Sequence, residues 1–166
     1  MIKNIVWTIV FGMVAAILQS TLLSHLPLYR AVPDIALGII VYSAYVNGVM
    51  TGQFSGFFYG IVLDFLSAAP LGLNALIRMI IGTLTGLLKG AFFLDIFLLP
   101  MLLCAGATLV KALILFLLSL MIPVIPSYPL TAPLLWAELA LNTLSAPFLF
   151  AFLKRFSSLL TGRRAA

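Results

Sequence analysis

The chain has 166 residues, of which 64% are hydrophobic and only 8% charged, with a formal net charge of +5 and a mean hydropathy of +1.26. An ordinary soluble domain carries about 25% charged residues, so this composition excludes one and reads as an integral membrane protein with no separate soluble domain. The single cysteine, Cys104, excludes an intrachain disulfide and any multi-cysteine metal site.

Charge-free runs from Asn4 to Tyr29, Ile35 to Leu63, Ala112 to Ala137 and Leu139 to Leu153 compare with the roughly 20 apolar residues that one spanning helix needs. They predict an all-α, six-helix transmembrane bundle in one domain, with helices at about 4–24, 34–48, 50–66, 73–92, 95–122 and 131–154 and a basic tail at 155–166. The first segment follows Lys3 but is too long for a signal-peptide core and lacks a small-residue cleavage site. It carries an interfacial Trp7 and a small-residue pair, Gly12 and Ala16; the only histidine, His25, closes it beside Pro27 and reads as interfacial. The second and third segments divide at Asn47 and Gly48, by a turn or a kink.

The third and fourth segments carry glycines at every fourth position, each series ending in a charge: Gly52, Gly56, Gly60, Asp64, then Arg78, Gly82, Gly86, Gly90. That spacing places the small residues on one helix face, where missing side chains let two backbones approach closely in lipid. With Leu66 to Leu73 as a tight turn, one antiparallel register sets Asp64 opposite Arg78, Gly60 opposite Gly82, Gly56 opposite Gly86 and Gly52 opposite Gly90. Leucine at Gly56 or Gly86 would force the helices apart, and alanine is expected to be tolerated better. Asp64 and Arg78 then form an intramembrane ion pair, structural in the first reading and a transport site in the competing one, because a charge inside lipid needs a partner or a water-filled cavity.

Lys111 stands in the middle of the fifth segment and Glu138 about two turns into the sixth, close enough in depth to pair. They would stabilise the bundle or contact a protein partner or ligand. Asn74 and Asn142 are candidates for bonds across helices. Pro123, Pro126, Pro129 and Pro133 make the intervening loop rigid, and Trp136 marks the next interface. Lys3, Lys89, Lys154, Arg155, Arg163 and Arg164 share one side against Arg30 on the other, which places both termini in the cytoplasm. Lys154, Arg155, Arg163 and Arg164 then form a surface for anionic lipid, or for a cytoplasmic partner, rather than for nucleic acid.

No second histidine, GxSxG serine or phosphate-cradling GxxxxGK is present. The reading is therefore a protein without catalytic residues, metal or cofactor.

Three stretches resemble one family: LQSTLL (Leu18 to Leu23), PDI (Pro33 to Ile35) and GQFSGFFYGIVLDFLSAAPLGLNALI (Gly52 to Ile77). They are similar to the rod shape-determining protein MreD family, and cover about the first half of the chain. The resemblance implies a small protein of the bacterial inner membrane that belongs to the cell-wall elongation machinery, binds the bitopic protein MreC, and is linked to the MreB filament and to the RodA glycosyltransferase with its transpeptidase. It also implies a fold similar to the substrate-binding components of energy-coupling-factor vitamin transporters. Arg78 departs from the pattern, where an uncharged residue is expected. The function that follows is a non-catalytic scaffold. The alternative is a vitamin-binding transporter subunit, which needs an external cavity that Tyr42, Tyr45 and Tyr59 would line. Flipping or conducting a lipid precursor would rest on Lys111 and Glu138 alone.

Overall fold

The computed structural model describes residues 2–22, 33–67, 70–91, 97–123, 125 and 131–160, without the side chains of residues 16, 18–22, 158 and 159. The readings made for His25, Arg30, Pro126, Pro129, Arg163 and Arg164 lie outside the described residues. The helices are α1 (Ile2–Leu22), α2 (Ile35–Asn47), α3 (Val49–Leu66), α4 (Leu73–Leu87), α5 (Leu98–Met121), α6 (Pro133–Arg155) and a one-turn α7 (Ser157–Leu160). Of these, α3, α5 and α6 are long and apolar enough to cross a membrane.

The bundle is built around α2, which packs against α1, α3, α4, α5 and α6. Every position from Ala36 to Ala44 is buried, as befits a helix that is apolar on all sides. At 13 residues it is about 20 Å long, well short of the roughly 30 Å hydrocarbon core. It begins inside the bundle: the Asp34 backbone N–H donates to Asn142 Oδ1 at 2.7 Å, and Asn142 stands about 14 Å along α6 from Pro133. Gly48 alone makes the corner into α3, capping both helices with φ +97°, a conformation that L side chains rarely adopt. Polar contacts pin the same end, with Asn4 donating to Asn47 Oδ1 at 2.8 Å, Thr8 and Ser43 hydroxyls 2.7 Å apart, and Asn47 Nδ2 donating to the Leu160 carbonyl at 2.8 Å.

The glycine faces of α3 and α4 do meet, but in another register. A Cβ on Gly52 would strike the Gly82 carbonyl, one on Gly56 the Arg78 carbonyl, one on Gly60 the Ala75 Cα, and one on Gly86 the Val49 Cα at 2.6 Å. Gly52 thus faces Gly82 rather than Gly90, a displacement of about two helical turns. The cause is Asp64, which draws the start of α4 back alongside the last turn of α3. Its carboxylate accepts N–H bonds from Gly72 (2.9 Å), Asn74 (2.9 Å) and Ala75 (3.2 Å), and a further bond from Asn74 Nδ2 (3.0 Å). These are amides that the first turn of a helix leaves unpaired, at the end whose dipole favours negative charge. Gly90 takes no part in packing: α4 ends at Leu87 rather than 92, and Gly90 lies in the following turn at φ +74° with nothing within 4 Å of a Cβ.

Candidate functional site

The chemistry of the bundle concentrates where α2 begins. Pro33 precedes and Asp34 caps this helix, with Asp34 Oδ1 accepting from the Leu37 N–H at 2.9 Å. An aspartate before an apolar run is a helix-start signal, and here the start is buried, so the carboxylate needs cations. Arg78 Nη2 donates to both of its oxygens, at 3.1 and 3.0 Å. Lys111 Nζ donates to Asp34 Oδ2 at 3.1 Å and to Glu138 Oε1 at 2.5 Å. The side chains of Asp34 and Arg78 are 9% and 7% exposed, so this cluster is screened little by solvent.

Two acids and two bases cancel, which lets them lie together in an apolar bundle. The Asp34 carboxylate ties α2 to α4 and α5, and the Lys111–Glu138 pair carries the connection on to α6. A hydrogen-bonded chain extends it: Asn142 accepts from Asp34 and donates to the Thr108 hydroxyl at 2.9 Å, and Thr108 donates to the Cys104 carbonyl at 2.8 Å.

The expected Asp64–Arg78 pair is absent. Asp64 is occupied by the amides of the α4 start, and one turn along, Arg78 reaches Asp34 at the start of α2 instead of Asp64 on α3. The close approach at Gly56, directly against the Arg78 carbonyl, brings that backbone near enough for the side chain to reach Asp34. Its guanidinium also lies 5.2 Å from the centre of the Tyr59 ring, a cation–π distance. Lys111 and Glu138 face the cluster, which makes them a polar core contact. Asn74 serves Asp64, and Asn142 joins α5, α6 and the start of α2.

The three tyrosines do not line one common cavity. Tyr59 is fully buried, while Tyr42 and Tyr45 line a cavity at the opposite end of α2, together with Lys154 and Arg155. Sequence reasoning missed Asp34 as a site residue. The signal was present: once Asp64 is spent on backbone amides, Glu138 alone cannot balance both Arg78 and Lys111. Among the described residues no group of three or more His, Cys, Asp or Glu side chains is placed to hold a metal ion.

Residues 1–156 match the family model described as rod shape-determining protein MreD. The chain belongs to the MreD family. No curated protein and no solved structure matches it, and the expected likeness to vitamin-transporter components therefore has no support. MreD proteins are membrane proteins of rod shape determination, in agreement with the three helices able to cross a bilayer. Arg78 pairs here with Asp34, the aspartate of the PDI stretch.

Proposed function

We propose that this MreD protein is a non-catalytic scaffold of the bacterial elongation machinery, lying in the cytoplasmic membrane with both termini inside and binding an MreC-like partner with one membrane helix. Contact with MreB, RodA and its transpeptidase would follow through that assembly. The observation that carries the reading, beside family membership, is the charge-balanced cluster of Asp34 and Glu138 with Arg78 and Lys111. Its charges are paired with one another inside the bundle, in a structural role, while Arg78 Nε and Nη1 find no hydrogen-bond partner among the described residues. A partner contact through Lys111 and Glu138 is accordingly set aside, and α2 is buried. The remaining candidate is the outer face of α1, where Val6, Val10, Met13 and Ile17 are all exposed at helical spacing.

Loss of the protein from a rod-shaped host should give round cells with misplaced wall synthesis, and the purified protein should capture the MreC-like partner. Val10→Trp should weaken that capture at normal abundance. Co-purification of a vitamin and an energy-coupling ATPase, without an MreC-like protein, would replace the scaffold reading with transport. Topology is tested separately: a reporter fused after Ala166 should be active only in its cytoplasmic form, since Lys3, Lys89, Lys154 and Arg155 all fall on that side. An external reporter would overturn the even number of spans.

A further inference from the structure

Where α6 ends, a cavity of 870 Å³ opens between α2, the start of α5 and the last turns of α6. Its volume lies within the range of ligand pockets, about 300–1,000 Å³. Tyr42 and Phe150 meet edge to face at 5.2 Å on its wall, and both are buried. Pro147 also lines it and stands inside α6, where its ring removes a backbone hydrogen bond and disfavours a straight helix.

The polar component is one-sided. Lys154 and Arg155 line the cavity and occupy the last turn of α6; both are exposed, and neither is in an ion pair among the described residues. Among the described residues no carboxylate lines it. Aromatic and aliphatic walls beneath two cations at the end of a spanning helix complement an acyl chain beneath an anionic headgroup, and basic pockets between membrane helices take such lipids.

We propose that this cavity is a binding site for one anionic phospholipid, with Lys154 and Arg155 holding the phosphate and the Tyr42–Phe150 wall receiving the chain. On the proposed topology the lipid belongs to the cytoplasmic leaflet. The site stands independently of the scaffold reading, because it rests on cavity shape and charge alone.

The test is native mass spectrometry of the full chain released from nanodiscs containing phosphatidylglycerol and phosphatidylcholine in equal amounts. One phosphatidylglycerol should be retained in preference to phosphatidylcholine. At about 1 kcal/mol per basic residue, Lys154→Gln and Arg155→Gln should each weaken retention roughly fivefold, and together about 25-fold. Ala151→Trp, which fills the cavity without changing charge, should abolish retention at normal thermal stability. Equal retention of both lipids, or loss with the charge variants but none with Ala151→Trp, would overturn the proposal in favour of diffuse surface attraction. A photo-crosslinker replacing the exposed Phe97 should label lipid. Adducts to a second copy of the chain or to another protein would place a different occupant there and equally overturn it.

Discussion

Asp34→Asn should be the most damaging polar substitution in the chain, lowering stability by about 3–5 kcal/mol, the cost of breaking a buried ion pair from one side. Asparagine keeps an acceptor for the Leu37 amide but leaves Arg78 and Lys111 sharing Glu138 as the sole acid, with an uncompensated positive charge in the bundle. Unfolding in mixed micelles would measure the loss. Arg78→Gln alone should also destabilise, by leaving Asp34 with Lys111 only. The double variant should recover part of the deficit, because the remaining Lys111–Glu138 pair is neutral. Losses that add to within about 0.5 kcal/mol would show that Asp34 and Arg78 are not coupled. The same cycle run on Asp64 and Arg78 should be additive, since Asp64 bonds to the amides of Gly72, Asn74 and Ala75 instead.

That contrast shows what could be read from the residues and what could not. Helix periodicity and charge-free runs are local properties, so the order of the helices, the corner at Gly48 and the use of four-residue glycine spacing as a contact face were all legible. Depth along neighbouring helices brought Lys111 toward Glu138. The register of α3 against α4 was not legible, because it depends on whether Asp64 spends its charge on a side chain or on the unpaired amides of the next helix. Three backbone N–H bonds from a helix start, aligned with its dipole and joined by one from the Asn74 side chain, outweigh one guanidinium. Asp34 was missed for a related reason. Its partners lie 44 and 77 residues away, and a capping aspartate normally sits at a helix end in water. Only the shortness of α2 carries this one into the bundle.

The glycine interface should prove intolerant even of a single methyl group, although alanine should still be tolerated better than leucine. At Gly82 the new Cβ would meet the Gly52 carbonyl, with the Gly52 Cα at 3.2 Å; at Gly52 it would meet the Gly82 carbonyl and the Ala44 Cβ at 2.6 Å. The obstructing atoms are mainly backbone, which cannot turn aside as a side-chain tip can, so the two helices must separate. Separation is transmitted directly to Arg78, whose carbonyl lies against Gly56, and so to its reach toward Asp34. Gly52→Ala and Gly82→Ala should each cost at least the 1–3 kcal/mol of ordinary overpacking, and leucine at either position should abolish the folded bundle. Gly106, on α5 with nothing within 4 Å of an added Cβ, is the control. Gly106→Ala should be neutral or stabilise by up to about 1 kcal/mol through helix propensity. Thermal unfolding of the three alanine variants in one detergent decides the matter, and equal melting temperatures would show that α3 and α4 do not meet through these glycines.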